Sequence, residues 1–205
     1  MASHYFDSDP TAPSRTATVT LLLPDLHLRL ATDRGVFSPD RIDLGTRILL
    51  ETVPPPPDHG TLLDLGCGYG PIALAMALRA PKATVVGIDT NQRALALARR
   101  NAKANAVPNV SFHRAPGPED PVDPLLRGPF AALWSNPPIR IGKQALHTLL
   151  TTWLDRLADG AYAHFVVHKH LGADSLHRWL DASGYPTDRV ASRAGYRILR
   201  TMRRP

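Results

Sequence analysis

Short β-prone runs occupy Thr18–Leu23 and Leu26–Ala31, separated by Pro24-Asp25, and this spacing predicts a hairpin or edge pair. Before them, residues 1–16 are polar with two prolines and predict a loose arm. Ser38-Pro39-Asp40 offers a Ser N-cap with Pro at the first helical position, so a helix is predicted to start there and run through Ile48, Leu49 and Glu51. Gly45 weakens that helix. Pro54–Pro57 cannot continue it and forms an extended connector.

From Gly60 the rhythm changes to strands alternating with helices. Strands are predicted over Thr61–Leu65, Thr84–Ile88, Val110–His113, Phe130–Trp134 and Ala161–Val167. Helices are predicted over Pro71–Arg79, Asn91–Asn105, Lys143–Leu157 and Ala173–Asp181, with a proline-rich loop at Pro116–Pro124. Arg189–Ser192 and Tyr196–Met202 close the chain as strands around Ala194-Gly195. Such alternation implies right-handed crossovers and a mostly parallel sheet. The last two strands lack a helix between them, so the last strand is expected to be antiparallel. The fold class is therefore α/β, a Rossmann-like, mostly parallel seven-stranded sheet with an N-terminal hairpin extension. Residues 1–57 read as an arm, hairpin and helix packed on a core of residues 58–205, the whole forming one structural unit.

Composition narrows the function classes. The chain has 205 residues, 43% hydrophobic and 20% charged, which suits one globular domain. It has no run of 18 apolar residues, and Met1–Pro10 lacks the basic-then-apolar order of a secretory signal. A single cysteine, Cys67, fits a reducing, cytoplasmic setting. The net charge of +6 is uneven, with five Arg against eight acids in residues 1–60 and the excess of cations beyond. That excess attracts polyanions, although ordinary solubility accounts for it equally well.

Asp64-Leu65-Gly66-Cys67-Gly68-Tyr69-Gly70 carries the most chemistry. It lies where a strand ends and a helix begins, at the edge where open α/β sheets bind ligands. Glycine there permits tight turning and close backbone approach to a ligand. The spacing is not the GxGxxG of a dinucleotide site. An acid before the turn instead suits a ligand with an ammonium and no phosphate, held directly or through water. Asp89 follows the next strand, where an acid accepts ribose hydroxyls. The plainer reading has the glycines only turning the chain and Asp89 only capping the helix near Asn91.

Ser135-Asn136-Pro137-Pro138 follows the fourth strand at the same edge. Two prolines stiffen the loop and hold nearby acceptors in place. An amino group on a nucleobase is flattened and poorly nucleophilic. An Asn136 carbonyl and the Pro137 backbone carbonyl would accept its two N–H groups and aim its nitrogen, with Pro138 shaping the loop. No strong general base is needed, because the attacking nitrogen is neutral. Taken alone, Asn-Pro reads equally as a turn.

Together these segments resemble class I S-adenosylmethionine-dependent methyltransferases, with Asp64–Gly70 as motif I and Asn136-Pro137-Pro138 as the motif of amino-methylating enzymes. Ile139-Arg140-Ile141-Gly142-Lys143, and Gly35 through Arg47 upstream, resemble the 16S ribosomal RNA guanine-N2 methyltransferase family in a compact single-domain form. The resemblance implies S-adenosyl-L-methionine as cofactor, bound by Asp64, Gly66, Cys67, Gly68, Gly70 and Asp89. It implies catalysis by Asn136, Pro137 and Pro138, and ribosomal RNA or a ribosomal subunit as partner. Ile139 stands where many relatives have a base-stacking aromatic, so Phe37 is the candidate substitute, its alternative being a core residue. Arg140, Lys143 and the five arginines from Arg193 onward suit RNA phosphates. Relatives carry an acid after the third strand, where Glu119 and Asp120 are available. His164, His168 and His170 share parity but complete no metal-ligand set. No membrane partner is expected, and a monomer is favoured. The competing readings are a glutamine methyltransferase acting on a protein such as a release factor, and a non-catalytic RNA- or nucleotide-binding module.

Overall fold

The computed structural model of the chain describes residues 13–117, 120 and 123–203. Strands β1 (Ala17–Leu23) and β2 (Leu26–Thr32) form the antiparallel hairpin. Helix α1 (Leu44–Thr52) follows. Then come β3 (Thr61–Leu65), α2 (Pro71–Arg79), β4 (Thr84–Asp89), α3 (Gln92–Ala104) and β5 (Val110–Arg114). The remainder is β6 (Phe130–Ser135), α4 (Lys143–Leu154), β7 (Leu157–His168), α5 (Ala173–Ala182), β8 (Thr187–Arg193) and β9 (Tyr196–Met202), with short 3-10 turns between some of them.

The main sheet has seven strands in the order β5-β4-β3-β6-β7-β9-β8. The first five are parallel; β9, the last strand in sequence, is antiparallel to both β7 and β8. Alternate side chains of a strand face opposite layers, and the core divides accordingly. Leu62, Val85, Ala132, Trp134, Val166 and Ile198 pack with α1, α2, α3 and the hairpin. Leu63, Leu65, Val86, Ile88, Leu133, Phe165 and Leu199 pack with α4 and α5. The sheet order reverses between β3 and β6, which opens a crevice beyond their carboxyl ends.

The hairpin has no pairing with the main sheet, and an isolated two-stranded hairpin is marginal in water. Leu21, Leu28 and Leu30 are at most 1% exposed against the α2–α3 layer. Burial of that kind contributes about 1.5–3 kcal/mol per side chain. Asn101 on α3 and Asn105 at its C-cap, four residues on, then close the free edge of β2. Asn101 Oδ1 accepts from Ala31 N while its Nδ2 donates to Ala31 O, and Asn105 repeats the pattern on Arg29. Edge groups of a strand left open would be a liability.

Three expectations are corrected. The helix expected at Ser38 starts at Leu44 instead. Ser38 adopts φ +49°, outside the extended backbone of an N-cap, whereas the Asp43 carboxylate accepts from Thr46 N at 2.9 Å. The fourth long helix ends at Leu154 and not Leu157, because Leu157 pairs with Phe130 and Arg156 O accepts from Phe130 N. Arg193, Arg197, Arg200 and Arg203 do not form a loose basic tail. Tyr196–Met202 is an interior strand of the sheet, and Arg193, Arg200 and Arg203 pair with Glu51, Asp188 and Asp159. Arg204, residues 1–12 of the arm expected over 1–16, and Glu119 lie outside the described residues. Among the described residues no helix is long and apolar enough to cross a membrane.

Candidate active site

A cavity of about 660 Å³ fills the crevice. It joins the turn after β3, the ends of β4 and β6, the segment between β2 and α1, and the edge where β7 meets β9. Gly66, Cys67, Gly68, Asp89, Asn136, Pro137, Pro138, Ile139, Arg140 and Phe37 line it. Residues from four separate stretches of sequence thus share one hollow. Lys143 is exposed at the first turn of α4, outside the lining.

The turn is built by backbone geometry. Gly66 N and Cys67 N both donate to Ile88 O at 2.9 Å, which ties the turn to β4. Gly68 has φ +54° and nothing within 4 Å of the point where a Cβ would stand, so the turn presents bare backbone to the cavity. Gly70 differs. At φ +96° it leaves only 3.3 Å between a would-be Cβ and the Phe112 ring, and it does not line the cavity. Its smallness serves packing against α3 and β5.

The two acids divide their work. Asp89 Oδ2 accepts from Gly68 N at 2.8 Å and Oδ1 from Asn91 N at 2.9 Å, so the carboxylate braces the turn while lining the cavity. Each oxygen keeps a further lone pair for a ligand hydroxyl. Burial raises the Asp89 pKa, opposed by the N–H groups of Asn91, Gly68 and Thr90. Asp64 is fully buried behind the turn and is not part of the cavity wall. Its Oδ2 accepts from Ala73 N at 2.8 Å, which caps α2 in place of the side chain that Gly70 lacks. Oδ1 has no partner among the described residues, and burial pushes the Asp64 carboxyl up to about 8. Cys67 is buried, and burial with the nearby Asp89 and Asp64 charges raises its thiol, so it is no thiolate nucleophile.

On the opposite wall Asn136 is fixed by α1. Its Nδ2 donates to Asp43 Oδ2 at 2.8 Å and to Thr46 Oγ1 at 3.2 Å. The Pro137 carbonyl accepts from Ile139 N at 2.8 Å, closing a tight turn with one lone pair to spare. Ser135 Oγ donates to Leu65 O and holds β6 against β3. Phe37 is 39% exposed and lines the cavity instead of joining the core. Asp120 is turned elsewhere: it accepts from Arg114 and from Gly117 N, and belongs to a separate surface hollow.

Several lining residues were given no site role from sequence, among them Asp43, Thr46, Tyr69 and Tyr196. Asp43 had a readable signal, a cap-type residue directly ahead of an apolar run. Tyr196 stacks edge-on to His168 at 4.9 Å and covers Gly45, where a Cβ would meet its ring at 2.7 Å. Of the three histidines, His164 is buried edge-on to Trp134, and burial with the Arg200 charge lowers its pKa to about 4.

A bare glycine turn and a ribose-competent acid in one cavity fit S-adenosylmethionine, which has ribose hydroxyls but no phosphate. A family model described as Methyltransferase small domain matches residues 27–200. An uncharacterized protein of Bacillus subtilis (strain 168), YbxB, is 32% identical over 98% of both chains. A ribosomal RNA small subunit methyltransferase C of Ectopseudomonas mendocina (strain ymp) is 31% identical over 95% of this chain and 57% of its own length. A ribosomal RNA large subunit methyltransferase G of Shewanella sp. (strain W3-18-1) is 32% identical over 75% of this chain and 41% of its own. The chain therefore spans about half the length of those two named relatives. In fold it is similar to a T. Thermophilus 16S rRNA N2 methyltransferase (RsmC) in complex with AdoMet and guanosine, at a TM-score of 0.76 and 22% identity over 95% of this chain and 52% of that one.

Proposed function

This chain belongs to the Methyltransferase small domain family, and from that premise we propose that it methylates an exocyclic amino nitrogen of ribosomal RNA, guanine N2, using S-adenosylmethionine. The observation that carries the reading is the Asn136 amide. A carboxylate can only accept hydrogen bonds, so the amide nitrogen faces Asp43 and the amide oxygen is left for a ligand. That acceptor stands in the same cavity as the bare Gly68 turn and Asp89.

The cofactor supplies an electrophilic methyl group. Asp89 binds its ribose hydroxyls, and the Gly66–Gly68 backbone gives it a floor. Asp64 supports that floor from behind by holding Ala73 N. Asn136 Oδ1 accepts one N–H of the target amine, and the second lone pair of the Pro137 carbonyl accepts the other. Two fixed acceptors favour the positive charge that grows on nitrogen during transfer. The proton then leaves from a cationic product, so no strong base is required beforehand. Phe37 and Ile139 offer apolar faces to the base, and Arg140 and Lys143 contact RNA phosphates. RNA enzymes of this kind act on an unpaired or extruded base, and an open cavity mouth suits that. The relatives named for ribosomal RNA methylation support the substrate class.

Nucleoside mass spectrometry of rRNA from cells with and without the protein tests the reading. Loss of one N2-methylguanosine supports it, and unchanged rRNA beside an unmethylated release-factor glutamine overturns it. With that RNA as substrate, Asn136→Ala is expected to bind S-adenosylmethionine normally by calorimetry and to lose at least ~100-fold in kcat. Retained turnover would remove Asn136 from the chemistry.

A further inference from the structure

Asp43 sits at the junction of the N-terminal extension and the catalytic crevice. It is the N-cap of α1, and the same oxygen, Oδ2, accepts both from Thr46 N at 2.9 Å and from Asn136 Nδ2 at 2.8 Å. Thr46, one turn into the helix and 4% exposed, places its hydroxyl 3.2 Å from the same amide nitrogen. Both amide hydrogens of Asn136 are thereby claimed by α1. An asparagine side chain is nearly symmetric in shape, so packing alone does not decide which of its ends faces a ligand. Here an acceptor-only carboxylate decides it.

The position of Asp43 is itself held. Gly45 has Asp43 Oδ2 at 2.9 Å and Tyr196 Cε1 at 2.7 Å from the point where a Cβ would stand. Tyr196 comes from β9 and is braced by His168 at the end of β7. Residues of β7 and β9 thus back the start of α1, which in turn holds the Asn136 amide.

We infer that Asp43, assisted by Thr46, is a positioning residue that selects the amide orientation of Asn136, presenting Oδ1 and withholding Nδ2 from the substrate amine. The inference rests on the acceptor role proposed for Asn136. With the amide reversed, an N–H would face the N–H groups of the target nitrogen. That arrangement repels the amine and leaves one of its hydrogens unclaimed.

Asp43→Ser separates positioning from folding. Serine is as good an N-cap as aspartate, so α1 keeps its start, but the short hydroxyl no longer reaches Asn136. In the cofactor-free protein, the Asn136 side-chain amide resonances, identified by their loss in Asn136→Ala, are expected to exchange faster with solvent and to shift toward free-amide values in Asp43→Ser. Asp43→Asn retains one acceptor oxygen and is expected to return those signals most of the way to wild type. In turnover on undermethylated rRNA, Asp43→Ser should lower kcat roughly 10- to 100-fold, the factor that a lost charge-assisted hydrogen bond supplies, with S-adenosylmethionine affinity unchanged. Asp43→Asn should recover most of that loss, and Thr46→Val should give a smaller one. Wild-type amide signals in Asp43→Ser would overturn the inference, as would unchanged kcat. Weakened cofactor binding with normal turnover would do the same. A wild-type protein inactive on that RNA would instead overturn the proposed reaction, and the amide spectra of the cofactor-free protein would still decide the role of Asp43.

Discussion

Asp64 reaches from the end of β3 to accept the backbone N–H of Ala73 at 2.8 Å, and its other oxygen, sealed from solvent, has no partner among the described residues. Catalytic architecture is bought here with a buried acid. Burial raises its pKa from 3.8 to about 8, so the folded state keeps the proton that the unfolded chain releases near pH 4. The contribution of this group to stability is fully present below about pH 4 and declines as pH rises toward 8.

Asp64→Asn retains an acceptor for Ala73 N and removes that titration. Urea midpoints at pH 5, 6.5 and 8 are expected to show the wild type losing stability relative to the variant across the window. The slope is at most on the order of 1.4 kcal/mol per pH unit. Parallel profiles for the two proteins would mean that Asp64 is ionised throughout.

Asn101 does not line the cavity, and Asn101→Ala should destabilise the protein. Asn101 Nδ2 donates to Ala31 O and to Tyr69 O, and Oδ1 accepts from Ala31 N. Removal strands three partly or fully buried backbone groups, each costing about 1–3 kcal/mol where water cannot replace the bond. A total loss of about 2–4 kcal/mol is expected by urea denaturation. A loss under about 0.5 kcal/mol would show that the hairpin is held by its leucines alone.

Asp89→Ala is expected to weaken S-adenosylmethionine binding by about 10- to 100-fold, since hydrogen bonds to a charged group contribute roughly 1.5–3 kcal/mol. The variant also loses the braces to Gly68 N and Asn91 N, so a modest fall in melting temperature should accompany it. Calorimetry reads the affinity directly. An unchanged dissociation constant would reassign Asp89 to bracing alone.

Arg140 and Lys143 are exposed beside the Asn-Pro-Pro turn, and neither pairs with a carboxylate among the described residues. Each is expected to neutralise one RNA phosphate. Replacing either with Ala should reduce the slope of log affinity against log salt by about 1. Filter binding to an rRNA fragment at several salt concentrations measures it. A slope that stays put would move the RNA path elsewhere on the surface.

The chain's local grammar was enough for the sheet and for the turn. Gly66, Gly68 and Gly70 mark a strand-to-helix turn because few other residues tolerate positive φ, and Pro137-Pro138 mark a rigid bend because proline fixes its own φ. Such constraints act within a few residues, so they can be read from neighbours in sequence. The helix start expected at Ser38 moved to Asp43, because both are cap types and only the folded backbone put Ser38 at φ +49° and set the Asp43 carboxylate on Thr46 N. The arginines of β9 looked like a free basic tail until folding set Arg193, Arg200 and Arg203 against Glu51, Asp188 and Asp159.

The α/β class, the strand-to-helix turns and the residue types at the sheet's carboxyl edge follow from local preference along the chain. That Asp64 lies behind the turn, that Gly70 packs under Phe112, and that Asp43 grips Asn136 across 93 positions of chain follow only from long-range packing. Backbone preference is a property of one residue and its neighbours. A contact between distant segments exists only after the whole core has fixed where each helix begins.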